Sequence, residues 1–279
     1  MKAKIIIVTG ASGAIGAEVS RALLEQGHYV IMACRNLEKG QRVLDSIWDR
    51  KKGEINRAKL MELDMSSFDS VRRFVEELKE AKLPIDGVVN NAGTMMRHFT
   101  LTPDNIEMTV QVNYASLFLL NELLMPIFDK NAAIVNVTSM AKNAKQINKQ
   151  FFRIKEKDFS QTGAYFRSKT ALTIYTADLA KRTAGELRVN ATDPGIVNSD
   201  ILTMGRWFDF LANLIFRPFT KSPEAGAKPI LNALFSQKSG QEFSGGRYRA
   251  IKSKYAQHAL KAWLWEETQR VVTTAAGKN

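Results

Sequence analysis

The sequence lacks several features that mark particular classes of protein. Its 279 residues include one cysteine, Cys34, so no disulfide can form within the chain and a reducing compartment suits it. No apolar run approaches the roughly 18 residues that a membrane-spanning helix needs, and the N-terminal run is too short for a signal peptide. The three histidines, His28, His98 and His258, are isolated, so we expect no metal site. These absences predict a cytoplasmic protein.

Acidic residues are also in short supply. Asp and Glu number 28 against 40 Lys and Arg, a formal net charge of +12. Such an excess can serve a nucleic acid, an anionic membrane or an anionic cofactor. The basic residues are scattered, however, with small clusters only at 50–52 and 247–254, and no aromatic-basic recognition motif accompanies them. We expect a solvated basic surface and no nucleic-acid partner.

Short apolar runs alternate with amphipathic stretches along the whole chain. Six runs are typical of strands: KIIIV (4–8), YVIMAC (29–34), AKLMEL (58–63), IDGVVN (85–90), AAIVNV (132–137) and LRVNAT (187–192). Helical periodicity is found around 15–26, 38–50, 67–80, 104–128 and 164–183. Strands that are apolar throughout suit a parallel sheet covered on both faces. The order predicts a three-layer α/β/α fold, a doubly wound parallel sheet of Rossmann type, in a single domain spanning 1–279.

The stretch TGASGAIG (9–16) follows the first predicted strand and opens the first predicted helix. Helix N-terminal amides at such a place can bind a pyrophosphate. Gly10 permits a tight turn, Gly13 allows the backbone to approach a ligand, and Gly16 allows the helix to pack closely on the sheet. The alternative is a tight strand–helix turn without a ligand.

The second predicted strand ends at Cys34-Arg35-Asn36. An NAD enzyme usually has an acidic residue here for the ribose 2′-hydroxyl, whereas Arg35 suits a 2′-phosphate. Ser12 can add a hydroxyl donor. The pattern favours NADP over NAD, and the alternative is an ordinary surface arginine.

Tyr165 and Lys169 are four residues apart on a predicted helix and so share one of its faces. A phenol with a pKa near 10 is a poor base at neutral pH. We expect the ammonium of Lys169 and a cationic nicotinamide ring to lower the pKa of Tyr165 towards the working range. The alternative for an isolated pair of this spacing is a solvated helix face.

Taken together, these motifs resemble those of the short-chain dehydrogenase/reductases over nearly the full length of the chain. The strings that carry the resemblance are TGASGAIG (9–16), LDM (63–65), NNAG (90–93), Asn113 in QVNYAS, Ser139 in NVTSM, YFRSK (165–169) and DPG (193–195). Single-domain members mostly carry T-G-x-x-x-G-x-G, and Ala14 stands here where their second glycine does. The observed T-G-x-x-G-x-x-G looks like the extended branch of sugar epimerases, but NNAG, Arg35 and the modest length look like the single-domain branch.

The resemblance implies roles for four catalytic residues. Tyr165 would be the general acid/base, and Lys169 would lower its pKa and hold the nicotinamide ribose. Ser139 would stabilise oxyanion charge, and Asn113 would hold a water that connects Lys169 to solvent.

The same resemblance implies an NADP(H) site, NAD being the less favoured cofactor. Its expected residues are Gly10, Ser12, Gly13, Ala14, Ile15, Arg35, Asn36, Asp64, Met65, Asn91, Ala92, Gly93, Tyr165, Lys169, Pro194, Gly195 and Val197. Asp64 and the Met65 amide would bind adenine, and Pro194-Gly195 and Val197 would lie beside the nicotinamide.

The substrate is indicated only by class. Ser139 and Tyr165 are 26 positions apart, which indicates a long inserted segment between them. In this respect the chain looks like the retinol-dehydrogenase-like members of the family, as it does in ACRN, SPEAGA (222–227) and LWEETQRV (264–271). Those members act on lipophilic alcohols and carbonyls. We expect a substrate lid around 196–221 and a C-terminal helix around 256–272. The apolar stretch 201–219 fits either that lid or a helix in peripheral contact with a membrane.

The expected protein is therefore an oxidoreductase that transfers hydride between NADPH and a lipophilic carbonyl or alcohol. Two alternatives stay open at this point: a catalytically silent NADP-binding sensor or scaffold, and an NAD-dependent nucleotide-sugar enzyme of the extended branch. The family often forms homodimers or tetramers through its helices, and a C-terminal extension can block such faces.

Overall fold

A computed structural model of the chain describes residues 2–48, 57–195 and 221–274, and within them eight strands form one sheet. The strands are β1 (Ile5–Thr9), β2 (Tyr29–Cys34), β3 (Ala58–Glu62), β4 (Ile85–Asn90), β5 (Phe128–Val137), β6 (Arg188–Asp193), β7 (Gln241–Ser244) and β8 (Arg247–Ala250). Their order is β3-β2-β1-β4-β5-β6-β7-β8, parallel through β7, with β8 antiparallel at the edge. The predicted doubly wound parallel sheet is confirmed.

Helices cover both faces of the sheet. They are α1 (Ala14–Glu25), α2 (Leu37–Ile47), α3 (Phe68–Glu80), α4 (Met108–Val110), α5 (Ser116–Leu124), α6 (Gln161–Arg182), α7 (Pro223–Phe235), α8 (Ser253–Ala256) and α9 (Lys261–Thr274). Helices α1, α2 and α7 share one apolar core with the sheet, and α3, α5, α6 and α9 share the other. None of the helices in these described ranges is long and apolar enough to cross a bilayer.

Strand β1 shows why the apolar runs do not alternate with polar residues. Ile6 and Val8 belong to the core under α1 and α7, whereas Ile7 belongs to the core under α3, α5 and α6. All three side chains are fully buried, because successive residues of a strand point to opposite faces and both faces are covered.

The strand order reverses at β1, which has β2 on one side and β4 on the other. Crossover connections leave these strands in opposite directions, so a crevice opens at their carboxyl ends, where such folds bind ligands. Thr9 ends β1 and Asn90 ends β4 at this position.

Two elements were missed by the sequence predictions. The hairpin β7–β8 has strands of only four residues, and β8 is exposed throughout, so neither carries a periodic signal. The Gly245-Gly246 pair between the strands was the available sign, and Gly245 has a φ of +58°. The second missed element is helix α7. Its sequence signs were Ser222, whose side chain caps the helix, and Pro223 in its first turn.

Other boundaries needed correction. The predicted helix 104–128 is interrupted: α4 leads into a π-helix, Gln111–Ala115, and then into α5, which ends at Leu124. The C-terminal helix begins at Lys261 instead of 256, after the separate short helix α8. The predicted lid around 196–221, including the stretch 201–219, lies outside the described residues except for Lys221.

Helix α9 packs across α5 and α6 through aromatic side chains. The Trp265 ring lies 5.1 Å from that of Phe118 and 5.8 Å from that of Tyr175, measured between ring centroids. The guanidinium of Arg182 stacks 3.8 Å from the Trp265 ring centroid. The C-terminal helix therefore covers part of the outer face of these two helices.

Candidate active site

The glycine turn after β1 is built by backbone contacts. Gly10 has a φ of +63°, and a Cβ added to it would lie 2.9 Å from the Cα of Ala92. A Cβ on Gly16 would lie 2.9 Å from the Cα of Ala11 and closer still to the Gly10 carbonyl oxygen. Both positions exclude any side chain. Gly13, by contrast, would keep its Cβ 3.4 Å from the nearest atom.

Gly13 is the N-cap of α1, and among the described residues no side chain caps this helix. A helix of 12 residues with uncapped N-terminal amides can bind a phosphate. Ser12 and Ala14 lie beside this end, and Ala14 is exposed. The side chain of Ile15 is half-buried and packs against the core, and its amide belongs to the first turn of α1. The described residues leave room for a methyl group at Gly13, so packing within them does not by itself require glycine there.

The ends of β2 and β3 carry the residues expected near an adenosine. Arg35 follows β2 and is exposed. Asn36 accepts a hydrogen bond from the Lys39 amide at 2.7 Å and thereby caps α2, so its side chain has a structural task that the sequence analysis did not assign. The Asp64 carboxylate accepts hydrogen bonds from the amide and hydroxyl of Ser66, both through Oδ1. The Met65 side chain is buried, which leaves its amide as the part able to face adenine.

The NNAG segment is fixed against β1 by Thr9. The Thr9 hydroxyl accepts hydrogen bonds from the amides of Asn91 and Ala92, each at 3.0 Å, and the Asn91 side chain donates to the Thr9 carbonyl at 3.0 Å. A Cβ on Gly93 would lie 3.4 Å from Asn113 Oδ1 and 3.7 Å from Lys169 Nζ. The segment therefore connects the glycine turn to Asn113 and Lys169, two of the residues expected to be catalytic.

The structure brings Ser139, Tyr165 and Lys169 together. Ser139 follows β5, and its hydroxyl lies close enough to the Tyr165 phenol to lower the pKa of that phenol. Lys169 lies one turn further along α6, with Nζ 5.8 Å from the centroid of the Tyr165 ring. The Lys169 ammonium is buried and donates to the Val137 carbonyl at 2.8 Å. These contacts bring together three of the four residues that the resemblance implies to be catalytic.

Burial dominates the electrostatics of Tyr165 and Lys169. Burial raises the pKa of the phenol, the hydrogen bond with Ser139 lowers it, and the carboxylate of Asp193 raises it again, with a net increase. Burial also lowers the pKa of Lys169 to about 8, and Asp193 opposes that change. In the protein alone, burial is therefore the largest cause acting on the pKa of Tyr165, and a lowering of that pKa by Lys169 together with a cationic nicotinamide ring stays a prediction.

Asn113 occupies the π-helix between α4 and α5 and is fully buried. Its Oδ1 accepts from the Thr94 amide at 2.7 Å, and its Nδ2 donates to the Thr94 carbonyl at 2.9 Å and the Ser168 hydroxyl at 3.1 Å. The side chain thus ties the segment after NNAG to α6, a contact the sequence did not reveal. Single π turns are frequent at functional sites.

The DPG segment ends β6 beside these residues. Asp193 is buried and accepts a hydrogen bond from the Gly195 amide at 2.9 Å, and Gly195 has a φ of +77°. Sequence reasoning treated Asp193 only as part of a motif, yet its charge acts on both Tyr165 and Lys169. Pro194 is buried next to it. Val197, expected beside the nicotinamide, lies outside the described residues.

The residues present fit a bound dinucleotide. The glycine turn offers uncapped helix amides at the end where β1 and β4 diverge, and Asp64 offers a carboxylate two strands away. At the other end, Gly93 leaves space next to Lys169 and Asn113. This succession follows the carboxyl ends of the strands, where a nucleotide cofactor binds in doubly wound folds.

The comparisons with known proteins agree with this geometry. Residues 4–206 match the family model described as short chain dehydrogenase. Human retinol dehydrogenase 11 is 30% identical over 274 residues, covering 94% of this chain and 84% of its own, and human retinol dehydrogenase 12 is 33% identical over 250 residues, covering 88% and 77%. The WW domain-containing oxidoreductase of Gallus gallus is 30% identical over 298 residues, covering 100% and 70%.

Among solved structures, an uncharacterised protein from Mycobacterium paratuberculosis has a TM-score of 0.77 at 26% identity, covering 97% of this chain and 93% of its own. A short-chain dehydrogenase/reductase from Brucella melitensis has a TM-score of 0.66 at 20% identity, covering 88% and 97%, which is a likeness of fold. The chain belongs to the short-chain dehydrogenase family, and it is similar to the retinol dehydrogenases in sequence.

Proposed function

We propose that this member of the short-chain dehydrogenases is an NADP(H)-dependent oxidoreductase that interconverts a lipophilic carbonyl compound and its alcohol. The observation that carries the proposal is the grouping of three residues: the Ser139 hydroxyl acts on the pKa of Tyr165, and Lys169 Nζ lies 5.8 Å from the centroid of the Tyr165 ring. A protein that only bound a nucleotide would not need this arrangement of hydroxyls at the nicotinamide end.

Each residue has a task in the proposed reaction. NADPH supplies the hydride when it is bound. Tyr165 holds the proton for the substrate oxygen, and its raised pKa keeps that proton in place until negative charge develops on the oxygen. The Ser139 hydroxyl is in reach to donate to the same oxygen and stabilise that charge. Lys169 supplies a positive charge beneath Tyr165, held in position by the Val137 carbonyl.

The preference for NADP(H) rests on Arg35. It is exposed directly after β2, and Cys34, which ends that strand, cannot accept a hydrogen bond from a ribose hydroxyl as a carboxylate does. A guanidinium is suited to a phosphate because it offers several donors in one plane. We infer that the 2′-phosphate of NADPH is bound here.

The lipophilic substrate class rests on the surface near Ser139 and on the relatives. Met140, which follows Ser139, is 60% exposed, and Met95 and Met96 after NNAG are half-buried. Methionine surfaces adapt to apolar ligands of irregular shape. Two of the similar proteins are named retinol dehydrogenases, which is the basis for including retinoids among the candidate substrates.

The experiment is an assay of NADPH consumption with retinal, ketosteroids, long-chain ketolipids and short polar ketones. We expect turnover with at least one apolar carbonyl, weaker turnover with the polar ketones, and lower kcat/KM with NADH than with NADPH. NADPH binding in a direct titration without turnover on any carbonyl would favour the silent sensor. Turnover restricted to polar ketones would refute the lipophilic class.

A further inference from the structure

The turn that carries Ser139 is held by hydrogen bonds between its own residues. Residues Met140–Asn143 form one 3₁₀ turn after β5, and the Ser139 hydroxyl accepts a hydrogen bond from the Ala141 amide at 3.2 Å. The Ser139 carbonyl accepts two hydrogen bonds from one residue: the Lys142 amide at 3.2 Å and the Lys142 Nζ at 3.0 Å. The orientation of the hydroxyl is therefore set by the position of this turn.

Lys142 is not a surface lysine. Its side chain is 2% exposed, and Nζ lies 2.5 Å from Oε1 of Glu242, whose side chain is 3% exposed. Glu242 belongs to β7 and pairs with Ala191 of β6, while its other carboxylate oxygen lies 3.3 Å from the guanidinium of Arg249 on β8. The edge hairpin β7–β8 thus reaches the Ser139 turn through a buried ion pair.

The rest of the turn is held to α6 and α8. The Lys142 carbonyl accepts a hydrogen bond from the Thr170 hydroxyl at 2.8 Å, and Thr170 is the residue after Lys169. The Tyr255 hydroxyl lies 2.9 Å from Asn143 Oδ1 and 3.3 Å from the Lys142 carbonyl. Lys142 therefore links Ser139 to the part of α6 that carries Lys169.

Burying two charges is costly, and an apolar pair of similar size is often at least as stable. The ion pair is thus a poor device for stability alone. Resting on the proposed function, we propose that Lys142, held by Glu242, is a positioning residue that fixes the Ser139 hydroxyl against Tyr165 by donating to the Ser139 carbonyl.

The test uses neutral pairs, because removing one partner alone would leave a buried charge and destabilise the fold for an unrelated reason. Two double variants are compared, in which Glu242→Gln is combined with either Lys142→Met or Lys142→Gln. Met and Gln side chains have similar lengths, and the difference that matters here is whether they carry a hydrogen-bond donor. The glutamine amide can still donate to the Ser139 carbonyl, and the methionine cannot.

We expect kcat of the Met variant to fall by about 10- to 100-fold, the range that a small displacement of a catalytic group produces. Its KM for NADPH should be unchanged, since the glycine turn is untouched. The Gln variant should retain kcat within about threefold of that of the unmodified protein, because it keeps a hydrogen bond to the Ser139 carbonyl, and its Tm should be similar to that of the Met variant. The proposal would be overturned if the two variants had equal kcat and equal Tm. It would also be overturned if kcat fell in each variant in proportion to the decrease in its Tm.

A readout without turnover separates this proposal from the proposed function. Met140 lies in the same turn, so its ¹³C-methyl resonance, assigned with Met140→Leu, should shift in the Met variant and stay near the parent position in the Gln variant. The exposed pair Lys79 and Glu76 on α3, neutralised to Gln in the same way, controls for the change of charge. An unmoved Met140 resonance in both test variants would refute the positioning role even if no substrate is found.

Discussion

The two ends of the candidate site are constructed in different ways. The cofactor end is made of backbone: Gly10 and Gly16 allow chain segments to approach at distances that any side chain would prevent. The end that holds Ser139, Tyr165 and Lys169 is made of polar side chains brought together from distant parts of the sequence, as the contact between Asn113 and Ser168 illustrates. A backbone site can be recognised in a short string of residues, whereas a side-chain site is visible only in three dimensions.

The largest effect is expected for Tyr165, where a substitution should change kcat but not cofactor binding. Tyr165→Phe removes the proton donor, so kcat should fall by about 10²- to 10⁴-fold. The Kd for NADPH should change by less than about threefold, because the phenol adds at most one neutral hydrogen bond to cofactor binding. Steady-state kinetics and a fluorescence titration check this.

Tyr248→Phe is the matched control, since Tyr248 lies on β8 and is half exposed. A Tyr165→Phe protein that kept a tenth or more of the parental kcat would show that another group supplies the proton.

The next effect concerns the cofactor end. Arg35→Ala should weaken NADPH binding by about 10- to 100-fold, given the roughly 1.5–3 kcal/mol of a hydrogen bond to a charged group, and should leave NADH binding unchanged. Titrations with both cofactors measure the difference. Arg73→Ala on α3 is the control for loss of one exposed positive charge. Equal weakening of NADPH and NADH binding would contradict the assignment of the 2′-phosphate to Arg35.

A third prediction compares two glycines of the same turn. Gly16→Ala should lower the free energy of unfolding by about 1–3 kcal/mol, because the added methyl meets backbone atoms. Gly13→Ala should cost less than about 1 kcal/mol, the usual scale of an N-cap change. We expect Gly13→Ala nevertheless to weaken NADPH binding. Urea unfolding and titration separate the two, and equal stability losses would argue against a ligand-related role for Gly13.

The smallest effect is a change in pH dependence. The Asp193 carboxylate raises the pKa of both Lys169 and Tyr165, so Asp193→Asn should lower both. Lys169, whose pKa is about 8, would then lose its charge at lower pH. The alkaline fall of kcat/KM for NADPH, which reports the free enzyme, should move to lower pH. Asp129→Asn, an exposed carboxylate at the start of β5, should not move it.

These contrasts explain what the sequence could reveal. The strand–glycine–helix order, Arg35 and the spacing of Tyr165 and Lys169 are local patterns, and they led to the confirmed fold and family. Lys142 and Glu242 are 100 positions apart, and nothing near either residue indicates the other. The hairpin β7–β8 joins them, and its strands are too short for periodicity to predict.

The pKa of Tyr165 could not be predicted for a related reason. Four-residue spacing places an ammonium near a phenol, but the sequence does not give the depth at which both are buried. In the structure that depth decides the direction, because burial of the phenol is the largest cause of the raised pKa of Tyr165, and burial also lowers the pKa of Lys169 to about 8. The proximity of the two groups was predictable, and the solvation of each was not.

The π-helix Gln111–Ala115 has a consequence for how this protein can change. A π turn closes its hydrogen bond one residue further along than an α turn. It lets the adjacent residues Asn113 and Tyr114 bond to different partners, Asn113 to Thr94 and Ser168 and Tyr114 to Thr268 of α9. Because a π turn is an α turn with one residue inserted, deleting one residue from Gln111–Ala115 would restore an ordinary helix and leave the flanking helical segments in register. The same deletion would remove or turn away a side chain that now bonds Ser168 or Thr268, so loss of a residue here should detach this helix from α6 or α9.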